Sequence, residues 1–121
     1  MNKITILIPV YNDWQSVFEL IKDINSQALT LSDEFSVIII NDASIENRPE
    51  FSPDLNNLKS VQIINMIENR GHARCIASGL KYIYEKKEFD YVIPMDGDGE
   101  DRPEEIKNFT ELIDRSEDKS I

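Results

Sequence analysis

Asp96 and Asp98 form a pair of carboxylates directly after an apolar, strand-like run in the segment YVIPMDGDGEDRPEE, residues 91–105. Gly97 lies between them and lets the backbone turn sharply, so both carboxylates can approach one hard cation. Mg²⁺ or Mn²⁺ held there would keep coordination positions open for phosphate oxygens. The pair therefore predicts a divalent-metal site that serves to bind an anion.

Two other interpretations compete for this acidic segment. Two aspartates at this spacing are also common in solvated surface loops. A calcium-binding EF-hand loop that started at Asp96 would need glycine at its sixth position and glutamate at its twelfth, where the chain has Asp101 and Lys107. The EF-hand is therefore disfavoured, whereas the solvated loop stays open. Asp101, Glu104 and Glu105 are interpreted as helix-start residues.

The composition is that of one globular domain in a reducing compartment. The chain has 121 residues, a net charge of −10 and one cysteine, Cys75, which cannot form an internal disulfide and is predicted to be a small core residue. The negative charge disfavours nucleic acid and anionic membranes as partners. No apolar run in the sequence approaches the about 20 residues that a membrane-spanning helix needs. We expect a cytoplasmic protein. For a longer, full-length protein, a location at the surface of a membrane is the alternative.

Short apolar runs alternate with amphipathic stretches, which is the pattern of an α/β fold. The runs predict buried strands at residues 4–10, 35–40, 60–66 and 91–95. The first helix is predicted from Trp14 to about Ser26, with Asp13 as its cap. A second helix is predicted after the segment ENRG, and a third is predicted to start near Pro103. We therefore predict a three-layer α/β/α, Rossmann-like architecture with a mostly parallel sheet, and a surface loop over residues 42–59.

The spacing of apolar residues predicts which side of two helices is buried. The helix after ENRG would bury Ala73, Ile76, Ala77, Leu80, Ile83 and Tyr84. The last helix would bury Ile106, Phe109, Leu112 and Ile113. Both helices would then cover the sheet with one side and leave their charged residues in solvent.

Several residues that could bind a ligand follow the predicted strands, at the edge where ligands bind in open parallel sheets. They are Pro9, Tyr11, Asn12 and Asp13 after the first strand, Asn41, Asp42 and Ser44 after the second, Glu68 and Asn69 after the third, and Asp96, Asp98, Glu100 and Asp101 after the fourth. Asp42 either accepts hydrogen bonds within a turn that Ser44 closes, or accepts one from a nucleobase on which Tyr11 stacks. Both roles stay open at this point.

The segment ENRGHARCIASG, residues 68–79, also allows two interpretations. The backbone N–H groups of a helix start could face a phosphate, with Arg70 or Arg74 nearby. Alternatively, the segment is an ordinary helix start. For His72, an ordinary surface position is the preferred interpretation.

Four segments in this order resemble the family 2 glycosyltransferases of the GT-A fold: ILIPVYND, VIIINDAS, NRGHARCIASG and MDGDGEDRPEE. The resemblance implies that a nucleotide sugar is bound by Pro9, Tyr11, Asn12, Asp42, Asn69, Gly71, Arg74, Asp96 and Gly97. It also implies a UDP-sugar or GDP-sugar donor and Mg²⁺ or Mn²⁺ as cofactor, held by Asp98 and Asp96. The last segment is most similar to the polyprenyl-phosphate sugar transferases, which implies a polyprenyl phosphate or a growing glycan as acceptor.

The resemblance covers nearly the whole chain and implies a hexosyltransferase-like enzyme whose acceptor half and catalytic base lie beyond residue 121. Residues 1–121 would then form a single nucleotide-sugar-binding domain with little or no transfer activity of its own. A non-catalytic nucleotide-binding or interaction module of the same fold stays an alternative. A receiver-type signalling domain is disfavoured, because it needs an acidic pair after the first strand, where the chain has Tyr11, Asn12 and Asp13.

Overall fold

The computed structural model describes residues 2–50, 54–96, 106–108 and 110–111. Its elements in chain order are β1 (Lys3–Val10), α1 (Trp14–Ala28), β2 (Glu34–Asn41), β3 (Ser60–Asn65), α2 (His72–Lys86) and β4 (Tyr91–Pro94). Residues 106–108 and 110–111 are also helical. The four predicted strands and the first two predicted helices are therefore confirmed, with ends that differ from the predictions by one or two residues.

The four strands form one parallel sheet in the order β3-β2-β1-β4. β1 and β2 lie at the centre and pair over their whole length, from Lys3 opposite Glu34 to Val10 opposite Asn41. Because all strands point the same way, their carboxyl ends meet at one edge, and α1 and α2 serve as crossover connections. The described residues between β2 and β3 form neither helix nor strand, in agreement with the loop predicted over residues 42–59.

Alternate residues of β1 point to opposite faces of the sheet, and α1 and α2 cover different faces. Ile4, Ile6 and Ile8 belong to a buried cluster that includes the apolar side of α1. Leu7 belongs to a second buried cluster, which includes the buried residues of α2. Because β1 is apolar at both sets of positions, it is buried on both faces. The predicted three-layer α/β/α architecture is thus confirmed.

The face that α2 buries differs from the predicted one. The helix is buried at Cys75, Gly79 and Ile83, so Ile83 is the member of the predicted set that is fully buried, and Ile76 is partly buried. The remaining predicted members are exposed: Ala73, Ala77, Leu80 and Tyr84. The prediction of this face was therefore wrong for four of its residues.

The reason for the different face is the close approach of α2 to the sheet at Gly79. A Cβ atom built on Gly79 would lie 2.6 Å from Leu7 Cδ1 and 3.0 Å from Ile40 Cγ1. Real Cβ atoms do not come so close to neighbouring carbon atoms, so the absence of a side chain allows the contact. Cys75 lies one turn earlier on the same face and is also small. The helix therefore packs through its small residues, and Leu80 and Tyr84 point away from the sheet.

The last predicted helix is described only in part. Ile106 is buried, as predicted, and residues 106–108 and 110–111 are helical. The predicted helix start near Pro103 and the predicted core residues Phe109, Leu112 and Ile113 lie outside the described residues. In the part of the chain that the structure describes, no helix has the length and apolar character needed to cross a membrane.

Candidate functional site

Three loops at the carboxyl edge of the sheet contain backbone conformations that L-amino acids rarely adopt. Asn12, after β1, has a φ angle of 66°, Ala43, after β2, has 57°, and Gly71, before α2, has 88°. Left-handed backbone at a non-glycine residue costs about 1–2 kcal/mol, and such residues concentrate at functional sites. The three loops therefore mark this edge as a candidate site.

Asn12 connects the loop after β1 to the loop after β2. Its backbone N–H donates to Ser44 Oγ (2.8 Å), and its side-chain Oδ1 accepts from the N–H groups of Ile45 (2.9 Å) and Glu46 (3.1 Å). The preceding residue, Tyr11, is 48% exposed. The side chain of Asn12 is thus engaged within the protein, and it fixes the loop that presents the Tyr11 ring.

Asp42 is only 4% exposed, and it holds the loop that leads into α2. Its carboxylate accepts hydrogen bonds from the backbone N–H groups of Arg70 (2.8 Å) and Gly71 (2.9 Å) and from Nδ2 of Asn69 (3.0 Å). The same Asn69 amide donates to the backbone carbonyl of Asp42 at 3.2 Å. Since a carboxylate has about four acceptor sites, three hydrogen bonds from one loop use most of its capacity.

The turn after β2 is closed by Asn41 and not by Asp42. Asn41 Oδ1 accepts from the Ser44 N–H at 3.0 Å, while Asn41 Nδ2 donates to Asn65 Oδ1 at 2.9 Å. Ser44 therefore closes this turn as predicted, but the interpretation of Asp42 as the acceptor within it is corrected. The acidic side chain reaches across to the loop before α2 instead.

A surface depression of about 230 Å³ opens at the same edge. Its lining residues are Pro9, Val10, Tyr11, Asp13, Val17, His72 and Asp96. Asp13 occupies the N-cap position of α1, as predicted, but its side chain makes no capping hydrogen bond. The depression thus brings together residues from the ends of β1 and β4 and from the start of α2.

His72, the first residue of α2, lies beside Asp96 in this depression. The distance between His72 Nε2 and Asp96 Oδ1 is 3.0 Å, and the two side chains are 60% and 37% exposed. His72 is therefore exposed, as predicted, but its place in the depression was missed. Its position directly after the segment NRG was the available signal, whereas the contact with Asp96 depends on the sheet order, which has no local sequence signature.

Arg74 lies apart from Tyr11 and Asp96. It lines a separate depression of about 370 Å³, together with Met66, Arg70, Ala77 and Ser78. Nη2 of Arg70 is 2.6 Å from Oε1 of Glu68, so this second arginine is paired with a carboxylate. Neither arginine lines the depression that contains Tyr11.

Residues 5–121 match the family model described as Glycosyl transferase family 2. The chain belongs to this family. The match confirms the resemblance seen in the four sequence segments at the level of the family, and it rules out the receiver-type signalling domain.

Several solved structures share the fold of this chain, although their sequences are only 21–22% identical to it. The chain is similar to S. aureus TarS 1-349, with a TM-score of 0.67 and 22% identity over 93% of this chain and 32% of that one. It is also similar to S. aureus TarS, with a TM-score of 0.65 and 22% identity over 93% of this chain and 20% of that one. A structure of TarS 1-349 in complex with UDP-GlcNAc gives a TM-score of 0.61 and 21% identity over 93% of this chain and 31% of that one.

These comparisons confirm the predicted fold, a parallel sheet with flanking helices of the GT-A type. The chain spans about a third or less of the length of the structures that it matches. Identities of this size establish a shared fold, because function resides in particular site residues. What TarS binds is therefore a property of TarS.

Of the predicted metal-binding pair, Asp96 lies within the described residues, whereas Asp98, together with Gly97, lies outside them. Asp96 is half-buried and lines the depression. Within residues 2–50, 54–96 and the described part of the last helix, no three His, Cys, Asp or Glu side chains come together as a metal site. Mg²⁺ is commonly bound by one or two carboxylates together with substrate phosphates. The Asp96 carboxylate fits a site of that kind.

Cys75 lies behind the loop that Asp42 holds. It is fully buried, and its Sγ is 3.5 Å from the carbonyl oxygen of Ile40. Burial, followed by the nearby charge of Asp42, raises the pKa of the Cys75 thiol to about 11. The thiol is therefore protonated at neutral pH, and the prediction of a small core residue is confirmed.

Proposed function

We propose that the chain binds the donor of a glycosyltransferase, a UDP-sugar or GDP-sugar, and that the whole protein transfers the sugar to an acceptor. The observation that carries this proposal is the depression at the sheet edge, where Pro9, the exposed ring of Tyr11 and the half-buried Asp96 lie together. Ligands of parallel α/β sheets bind at this edge. The structure of the similar TarS 1-349 in complex with UDP-GlcNAc supports the choice of a nucleotide sugar.

The nucleobase is assigned to Tyr11 and Asp42. The Tyr11 ring is exposed, and stacking of a base on an aromatic side chain contributes about 1–3 kcal/mol. Asp42 is 4% exposed and does not line the depression. After three hydrogen bonds from residues 69–71, its carboxylate keeps about one acceptor site, and a base N–H would reach it only if the loop of residues 69–71 shifts when the donor binds. Asn69 and Gly71 then contribute by holding Asp42, and Asn12 contributes by holding the loop of Tyr11.

The diphosphate of the donor is anionic and needs positive charge nearby. The chain itself has a net charge of −10, and Arg74 lines the other depression. Mg²⁺ or Mn²⁺, held by Asp96 and Asp98, is proposed as the source of that charge. A bound divalent ion neutralises the diphosphate and stabilises the nucleoside diphosphate as a leaving group. The place of Asp96 in the depression supports this assignment.

The acceptor is proposed from the segment MDGDGEDRPEE, which resembles the polyprenyl-phosphate sugar transferases. In that reaction a phosphate oxygen of the acceptor forms a bond to the anomeric carbon of a hexose, while the bond to the nucleoside diphosphate breaks. The phosphate oxygen is already anionic, so it needs less help from a general base than a neutral hydroxyl does. Such an acceptor would bring the protein to the cytoplasmic surface of a membrane.

Calorimetric titration tests the donor proposal. UDP, GDP and UDP-GlcNAc are titrated, each with and without Mn²⁺, into the wild-type protein and the Asp98→Ala variant. We expect nucleotide binding that requires the metal and that is lost in Asp98→Ala. Asp23→Ala is the matched control, because Asp23 is exposed on α1 and does not line the depression.

Three outcomes count against parts of the proposal. Nucleotide binding of equal affinity with and without Mn²⁺ contradicts the metal assignment. So does an Asp98→Ala variant that binds nucleotide as tightly as the Asp23→Ala control. The absence of binding by every nucleotide tested, in a wild-type protein that unfolds cooperatively, contradicts the donor site itself.

A further inference from the structure

We infer that His72 is a positioning residue, which donates a hydrogen bond from its Nε2–H to Asp96 Oδ1 and thereby fixes the carboxylate that the donor or its metal uses. The two atoms are 3.0 Å apart, and both side chains line the depression. The inference rests on the proposed donor site, since it gives His72 a task within that site.

The direction of this hydrogen bond follows from the chemistry of the two groups. An ionised carboxylate only accepts hydrogen bonds, so the imidazole nitrogen that faces it must carry the proton. A histidine whose proton is placed by a neighbouring acceptor also has a defined tautomer and ring orientation. The contact therefore orients both partners.

The support for His72 comes from a buried anchor. Gly71, the preceding residue, donates its N–H to the carboxylate of Asp42 at 2.9 Å, and Gly71 O accepts from the N–H of Cys75 at 3.0 Å in the first turn of α2. Asp42 and Cys75 are both buried. The backbone that carries the imidazole is thus held by residues of the core.

Asp96, in contrast, follows a short strand at the edge of the described sheet. β4 ends at Pro94, and its described neighbour is β1. The Asp96 side chain is 37% exposed, so packing fixes it less than it fixes Asp42. A hydrogen bond from the better-anchored His72 would restrict the orientations of this carboxylate.

The rival explanation is an incidental surface contact, and it makes a different prediction. An exposed pair of this kind contributes about 0–1 kcal/mol to folding, so both explanations leave stability almost unchanged when His72 is replaced. A partner that orients a metal-binding or ligand-binding carboxylate typically changes affinity by about 10–100-fold. Affinity, and not stability, separates the two.

Three variants measure this effect, with UDP plus Mn²⁺ and GDP plus Mn²⁺ as probes. His72→Phe keeps a ring but removes the hydrogen-bond donor. We expect it to weaken the binding of the nucleotide that binds more tightly to wild type by about ten-fold or more. His72→Gln keeps an N–H donor, and we expect it to bind within about three-fold of wild type. The melting temperature of each variant, read by circular dichroism, should stay close to that of the wild type.

A double-mutant cycle tests whether His72 acts through Asp96. Asp96→Asn is expected to weaken binding, and His72→Phe is expected to add nothing further in the Asp96→Asn background, because the carboxylate to be oriented is gone. Losses that multiply in the double variant would overturn the positioning role. Equal losses in His72→Phe and His72→Gln would overturn it too.

The hydrogen bond can also be detected without any nucleotide, because His72 is the one histidine of the chain. In ¹⁵N-labelled protein the imidazole nitrogens report the tautomer directly. We expect Nε2 to carry the proton in wild type and the imidazole signals to change in Asp96→Ala, which removes the acceptor. Identical imidazole spectra in the two proteins refute the contact. If the wild type binds no nucleotide but the spectra differ, the donor proposal fails while the His72–Asp96 contact stands.

Discussion

Oδ2 of Asp42 lies 2.9 Å from the backbone nitrogen of Gly71, so a carboxylate at the end of β2 holds the backbone where α2 begins. The N–H of Arg70 donates to the other oxygen of the same carboxylate. Because Asp42 is buried, these hydrogen bonds are shielded from competition by water. One acidic side chain therefore determines the shape of the loop that places His72 beside the depression.

Asp42→Ala is expected to lower the free energy of unfolding by about 2–4 kcal/mol, because two backbone N–H groups and the Asn69 amide lose their acceptor. Urea denaturation measures the change. The exposed Asp23→Ala, on α1, should stay within about 0.5 kcal/mol of wild type. Equal stability of the two variants would contradict the anchoring role of Asp42.

Gly79→Ala is expected to lower the free energy of unfolding by about 1–3 kcal/mol, although alanine favours helices by about 1 kcal/mol over glycine. The new Cβ would lie 2.6 Å from Leu7 Cδ1, so either the Leu7 side chain must rearrange within the packed core or α2 must move away from the sheet. Ser78→Ala is the control at the preceding position, which is exposed. It should leave the free energy of unfolding unchanged or raise it slightly. A Gly79→Ala variant as stable as wild type would show that α2 packs less closely than described.

Cys75 should make stability fall in alkaline solution. Its pKa in the folded state, about 11, is above the ordinary value of 9.0, so the unfolded chain loses the thiol proton first. The stabilising contribution is complete below a pH of about 9 and is lost as the pH rises through about 11. We expect the difference in free energy of unfolding between wild type and Cys75→Ala to shrink over that range. A difference that stays constant would contradict the raised pKa.

Tyr11→Ala is expected to weaken nucleotide binding by about 5–100-fold, as the loss of one stacking contact implies. Tyr11→Phe keeps the ring and should bind nearly as well as wild type. Isothermal titration with the nucleotide that binds more tightly gives both values. Because Tyr11 is exposed, neither change should lower the melting temperature by more than a few degrees. Equal losses in both variants would assign the contact to the hydroxyl group instead of the ring.

The sequence predicted those features that local pattern determines. β1 was predicted because the run ITILIPV, residues 4–10, is rich in β-branched residues, is too short for a helix and is closed by the polar segment YND. The site edge followed from the rule that parallel strands end together. Pro9, Tyr11 and Asp96 are indeed brought to one depression.

Other features depend on distances between segments, and no local pattern encodes those distances. The buried face of α2 was predicted from its larger apolar residues, yet the close contact of Gly79 with Leu7 and Ile40 turned Tyr84 towards solvent. The hydrogen bonds from residues 69–71 to Asp42 join positions at least 27 residues apart in the chain. The contact of His72 with Asp96 likewise requires the order of the sheet.

The hydrogen bonds that Asn12 Oδ1 accepts from Ile45 and Glu46 join the loop after β1 to the loop after β2. The backbone beneath the Tyr11 ring cannot shift without disrupting the chain that leaves β2. A flat ligand that settles on this ring meets a platform whose support is pre-organised, so less conformational entropy is lost when the complex forms. Selectivity at this platform should then depend on the shape of the ligand, because the loops beneath the ring have little freedom to adapt to a poor fit.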